Sequence, residues 1–211
     1  HWSRDAKPLI RFGADSQAVT FWDTRSQSYA LYLRGWEQRA DKKKYRTILR
    51  ADLPDLHTPL EIDATEHSRR LWGKDKVAVM DKEFPQVLAT DERDAPDSDV
   101  YTISAQQYPA DRRWYLGFPS FFQREKNTSD GRLDVQCIGS TDGLKWHRYD
   151  REPYARPGLA GSDSASMVFM GPGMILRGEE IWQYGTGLQS RHGDRAAREK
   201  RTDGVIYRYT Q

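Results

Sequence analysis

Cysteine is almost absent: Cys137 is the single one in 211 residues. With no second thiol, an internal disulfide framework is excluded. The neighbours of Cys137 alternate as in a strand, and a buried inert thiol fits that setting. Apolar residues are scarce at 37%, and no run is long enough for a membrane-spanning helix. No charge of one sign prevails, because 33 Lys and Arg face 31 Asp and Glu, a net of +2. That balance argues against nucleic acid and against an acidic membrane surface as partners. The basic runs Lys42-Lys43-Lys44 and Arg195 to Arg201 read as solvated loops. The 5 histidines lack metal-ligand spacing, so no metal site is expected and no cofactor is called for. A Gly-x-Ser-x-Gly nucleophile elbow and a glycine-rich phosphate loop are both missing from the sequence.

Aromatics are plentiful. There are 7 Trp and 11 Tyr, and large rings offset a shortage of aliphatics in a core. Three short phrases stand out: GADSQAVTF from Gly13, APDSDVYTI from Ala95 and GSDSASMVF from Gly161. Each sets Asp-Ser ahead of an apolar, β-branched run. A second, aromatic run follows each: YALYLRGW from Tyr29, RWYLGFPSFF from Arg113 and EIWQYGTGL from Glu180. A third comes later: YRTILRADL from Tyr45, RLDVQCIGS from Arg132 and GVIYRYT from Gly204. DTRSQS, YPADRR and GPGMILRGEE occupy the places of turns between first and second strands. RHGDRAAREKR is polar nearly all round and reads as a loop or a short helix.

A unit of antiparallel strands repeating at roughly 65 to 80 residues predicts an all-β chain of β-propeller blades. The blades expected are residues 13–90, 95–158 and 161–211. Asp142-Gly143 predicts a tight turn, with Trp146 packed beneath a blade. Three blades do not close a ring, and the opening His1-Trp2 reads as the tail of another such unit. The expectation is therefore that the N-terminal part of the ring lies outside this chain. An irregular β-sandwich is the alternative, and it leaves the three phrases unexplained.

If each phrase heads an innermost strand, Asp15, Asp97 and Asp163 converge at one mouth of the channel. Crowding acids is unfavourable, so such a cluster is expected where acids act as proton donor, base, nucleophile or cation ligand. The plainer alternative is that each Asp-Ser caps a turn. Asp99, two residues after Asp97, would share its face in a regular strand and is a further candidate acid.

The stretches DSQAVTFWD, SDVYTISAQQYP with WYLGFPSFF, RLDVQCIGSTDGLKWHR, and EIWQYGTG followed by SRHG resemble the five-bladed β-propeller glycoside hydrolases. That broad group holds families 32, 43, 62, 68, 117 and 130. The resemblance implies a carbohydrate partner, an axial pocket, and hydrolysis of a terminal glycosidic bond by two carboxyl groups. It implies an extracellular or periplasmic setting for such an enzyme. It also implies a Glu as acid catalyst in a later blade. Here Glu61, Glu92, Glu125, Glu179 and Glu180 all fall in turns or loops, which favours a non-catalytic, carbohydrate-binding propeller as the alternative. A structural or protein-binding propeller is a third reading. Arg34, Tyr184, Arg191 and His192 are the expected substrate contacts, since Arg and aromatic rings suit hydroxyls, acidic groups and sugar C–H faces.

Overall fold

The structure is a computed structural model that describes residues 7, 9–10, 17–60, 68–70, 77–79, 84–125, 130–194 and 204–211. Among these residues there is no helix; the chain is all-β. The strands in order are β1 (Val19–Asp23), β2 (Ser28–Gln38), β3 (Lys44–Leu53), β4 (Ser68–Arg70), β5 (Val77–Val79), β6 (Gln86–Leu88), β7 (Ser98–Gln107) and β8 (Tyr115–Arg124). They continue with β9 (Gly131–Gln136), β10 (Ile138–Ser140), β11 (Pro153–Ala155), β12 (Met167–Met170), β13 (Ile175–Arg177), β14 (Glu180–Leu188) and β15 (Gly204–Thr210).

Three antiparallel sets follow the chain. The first is β1-β2-β3-β6, with β4 and β5 forming a separate hairpin. In the second, β7 pairs β8, β8 pairs β9, and β9 pairs β11. In the third, β14 lies between β15 on one edge and β12 with β13 on the other. The first strand of the second and third sets follows its Asp-Ser phrase directly. A single parallel bridge, Met167 to Leu133, links β12 to β9.

Side-chain alternation decides how the sets stack. The middle set buries both faces. Val100, Ile103, Ala105 and Phe121 pack on Ala30, Tyr32, Ile48 and Leu88 of the first set. Phe118 and Val135 pack on Val168, Met170 and Ile181 of the third, and Phe122 and Leu133 on Met167. The far face of the first set, Leu31, Leu33, Leu49 and Leu53, is covered by Leu9, Ile10, Leu56, Leu60 and Phe84. Described residues leave the far face of the third set open: Ile175, Tyr184 and Ile206 are exposed on it.

Two details differ from the sequence reading. RLDVQCIGS is not one strand but two, β9 and β10, broken at Cys137. Both halves lie along β8 in one unbroken register, and the gap falls beside Pro119. Proline has no N–H to give a ladder, so the pairing lapses there and resumes beyond it. GPGMILRGEE, read as a turn, contains β13 and makes a second hairpin against β14. The Asp142-Gly143 turn is present, with Gly143 at φ +70°. Asp142 Oδ1 accepts the Leu144 and Lys145 amides, each at 2.8 Å. Trp146 is half-buried against the first core and meets Tyr32 edge-on at 6.0 Å.

Candidate functional site

The structure buries two aspartates completely, Asp23 and Asp99, and each is met by arginine. Asp23 ends β1. Its Oδ1 accepts the Tyr115 hydroxyl at 2.7 Å and the Arg25 amide at 2.9 Å, and its Oδ2 accepts Arg50 Nη2 at 2.7 Å. Arg50 also donates to Asp52 at 2.7 Å and to the Asp142 carbonyl at 3.2 Å. Tyr32 closes the group by donating to the Gly143 carbonyl at 2.6 Å. Burial alone would raise the Asp23 pKa, but the Tyr115, Arg25 and Arg50 donors outweigh it and hold the carboxyl below its usual range. Burial pushes the Tyr32 and Tyr115 hydroxyls well above theirs. Every partner here among the described residues is protein. The group fastens the first set to the second.

Asp99 lies near the start of β7. Arg46 Nη1 donates to its Oδ2 at 3.1 Å, the Arg46 amide reaches the same oxygen at 3.3 Å, and Arg124 Nη2 pairs with it as well. The Arg46 guanidinium lies 5.0 Å from the Trp36 ring, 4.9 Å from Tyr101 and 5.4 Å from Phe122. Such rings favour a cation that has lost its water. Arg34 stands behind them, its guanidinium 4.5 Å from the Tyr101 ring and donating to the Tyr101 carbonyl.

Arg124 carries this cluster to the surface. It lines a cleft of about 220 Å³ together with Gln123, Glu125, Gly131, Arg132 and Arg191. The Arg124 amide also donates to the Asp97 carbonyl at 3.3 Å, so the second Asp-Ser phrase abuts the cleft. Arg191 pairs with Glu125 and lies 4.0 Å from Asp130. Its loop is pinned on both sides. The His192 amide donates to the Gly131 carbonyl at 3.2 Å, and the Gly193 amide to Asp130 Oδ1 at 2.9 Å. The His192 ring rests on Phe122 and Tyr101, with Nε2 3.0 Å from the Tyr101 hydroxyl. Gly131 admits no side chain, for a Cβ there would lie 2.3 Å from the Gln123 carbonyl oxygen.

Of the acids named from sequence, Asp15 lies outside the described residues. Asp97 is half-exposed ahead of β7 and pairs with Lys43 at 3.2 Å. Asp97 and Asp99 do not share a setting, because Asp97 precedes the strand whereas Asp99 is inside it and wholly buried. Asp163 is exposed in the turn before β12, and its carboxylate has no ion pair or hydrogen bond among the described residues. Of the expected substrate contacts, Arg191 lines the cleft and His192 supports it from behind. Arg34 is 2% exposed and engaged with Tyr101, which places it in the core. Tyr184 is 42% exposed on the open face of the third set, a different surface.

Sequence reasoning set Glu125 aside as a loop residue, whereas the end of β8 brings it into the cleft, and did not weigh Arg132, whose alternation on β9 turns it outward. It also passed over Asp134, two residues further along β9. Burial pushes the Asp134 carboxyl up to about 6, against the pull of Arg156 and Arg148. Its Oδ1 is buried without a hydrogen-bond partner, while Gln123 donates to Oδ2 at 2.8 Å. No group of three metal-ligating side chains occurs among the described residues.

No protein-family model matches this chain, and no curated protein matches it. Solved structures do. One described as "Glycoside hydrolase" and one described as a complex of BT0996 with RGII each give a TM-score of 0.56 at 10% identity, over 92% of this chain and 45% of theirs. An N-acetylgalactosamine deacetylase from F. plautii, in complex with blood group B trisaccharide, gives 0.50 at 14% identity over 81% of this chain and 40% of its own. The chain thus spans about half the length of the solved chains it matches. At such identities the likeness is one of fold: this chain shares its all-β architecture with part of those chains.

Proposed function

We propose that this chain supplies blades of a β-propeller that binds a glycan and hydrolyses a terminal glycosidic bond, with the cleft beside Arg124 as the sugar site. The single observation that carries the reading is the cleft itself: donors and a carboxylate from β8, β9 and the loop after β14 meet at one end of the stacked sets. Three successive antiparallel sets, opening with β1, β7 and β12, suit the reading as blades. The fold likeness to a glycoside hydrolase and to structures whose descriptions name saccharides supports carbohydrate as the ligand class.

Glu125 lines the cleft, and Asp97 adjoins it across Arg124; these are the carboxyl groups proposed for proton donor and base. Asp163, in the turn before β12, remains a further candidate, as does Asp15, which lies outside the described residues. Asp99, held between Arg46 and Arg124, orients Arg124 and is a positioning residue. The competing reading is a glycan-binding protein without hydrolysis. It is favoured by the engagement of Glu125 with Arg191 and of Asp97 with Lys43.

One experiment separates the two. The polypeptide containing this chain is assayed on aryl glycosides and on plant and animal oligosaccharides, with binding measured in parallel by calorimetry. Turnover that Glu125→Gln or Asp97→Asn lowers at least 100-fold, at unchanged melting temperature, supports hydrolysis. Binding without turnover supports the competing reading. Neither binding nor turnover on any saccharide would overturn both.

A further inference from the structure

We infer that the cleft selects a sugar bearing an anionic substituent, a carboxylate or a sulfate; this rests on the reading of the cleft as a glycan site. Among the described residues its lining holds three arginines, one glutamate, one glutamine and one glycine, and no aromatic ring. Stacking on a sugar C–H face is therefore missing at this site. Recognition has to be polar, and the guanidinium fork matches the paired oxygens of a carboxylate or sulfate.

The three arginines are not equally occupied. Arg124 is committed to buried Asp99. Arg191 pairs with Glu125, but both side chains are more than a third exposed, so the pair contributes little and yields to a competing anion. The Arg132 side chain is exposed and makes no hydrogen bond or ion pair among the described residues. A ligand anion placed in the cleft would be met by Arg132 and Arg191 together. The pinned backbone on either side of Arg191 and the side-chain-free floor at Gly131 keep that position open without rearrangement. Glu125 remains beside them as an acceptor for sugar hydroxyls, and it disfavours a second negative charge. The site therefore takes one anionic group per sugar, and its volume of about 220 Å³ is of the order of a single ring.

The test uses calorimetry on the polypeptide containing this chain, with two matched pairs of probes. One pair is a uronic-acid disaccharide and its carboxyl-reduced form; the other is a sulfated disaccharide and its desulfated form. The expected result is at least tenfold tighter binding of the charged member of one pair, weakening as salt rises. Arg132→Ala and Arg191→Ala should each abolish the preference while neutral sugars still bind. Arg132→Lys should restore it only in part, since it keeps the charge and loses the fork. Arg113→Ala, an exposed arginine in the turn before β8, should change nothing. Which pair discriminates identifies the anion. Equal affinity within both pairs overturns the inference and leaves the glycan reading standing. No binding by any of the four probes also overturns the inference, while the glycan reading then rests on the wider oligosaccharide panel.

Discussion

Asp23 and Asp99 are equally buried, the first paired with one arginine and the second with two, and they have different consequences. Around Asp23 the circle of partners closes on itself: Arg50, Tyr115 and Tyr32 turn inward, and Gly143 seals the group. Around Asp99 one partner, Arg124, has its other side on the cleft. A buried ion pair is weak evidence of stability by itself, because desolvation offsets attraction. The partners therefore decide its role. A closed circle fastens two sheets, whereas an open one holds a cation at a working surface.

The largest test of this difference is Arg50→Ala. It leaves the Asp23 carboxylate buried without its cation, and the expected loss is about 3–5 kcal/mol of folding stability. Denaturant melts would read it directly, and a loss below about 1 kcal/mol would mean that the circle is not closed. Next comes Gly143→Ala. At φ +70° an added Cβ is strained, and it would stand 2.3 Å from Arg50 Nη1 and 2.7 Å from the Tyr32 oxygen. The expected loss is about 2 kcal/mol, read by the same denaturant melts.

Asp134 is a third acid, half-buried with its Oδ1 enclosed, this time with no arginine bonded to it. Its pKa is raised, so between the unfolded value near 3.8 and the folded value near 6 the native state binds more protons than the unfolded state. Stability contributed by this group falls as pH rises through that window, by up to roughly 3 kcal/mol in all. Asp134→Asn should flatten the stability profile there and leave the protein more stable at pH 7, as melting curves from pH 4 to 7 would reveal. An unchanged profile would place the carboxyl in water.

Smaller effects belong to the open side. Arg124→Ala should cost about 1 kcal/mol, since Arg46 still pairs with Asp99, while binding at the cleft is lost. Asp97→Asn breaks only the exposed pair with Lys43 and should stay within about 0.5 kcal/mol by thermal melting.

The strands were legible because aromatic and β-branched runs alternate and turn residues bound them. YALYLRGW, EIWQYGTGL and GVIYRYT fall within β2, β14 and β15. Pro119 explains the one break that alternation could not foresee, since the loss of a donor acts on the neighbouring strand and not on its own. The second Asp-Ser phrase lies next to Arg124 and the cleft. What sequence hid was partnership. Asp99 is buried because Arg46 and Arg124, from β3 and β8, enclose it, and nothing near Asp99 in the chain announces either. For the same reason Arg34 looked like a ligand contact: an arginine between aromatics suits a sugar and a core equally well. Glu125 sat in a loop, as read, but the meaning of that loop depended on Arg191, far away in the chain.

The fastening around Asp23 also carries a consequence for how quickly the protein comes apart. Its bonds join residues distant in sequence: Tyr32 to Gly143 across 111 positions and Asp23 to Tyr115 across 92. The β2–β3 and β7–β8 hairpins form from near neighbours, but this clasp closes only when both are already built and stacked. Contacts of such long range mature late, so the clasp governs the rate of unfolding far more than the rate of folding. Loosening it would leave assembly nearly as fast as before while shortening the lifetime of the folded state.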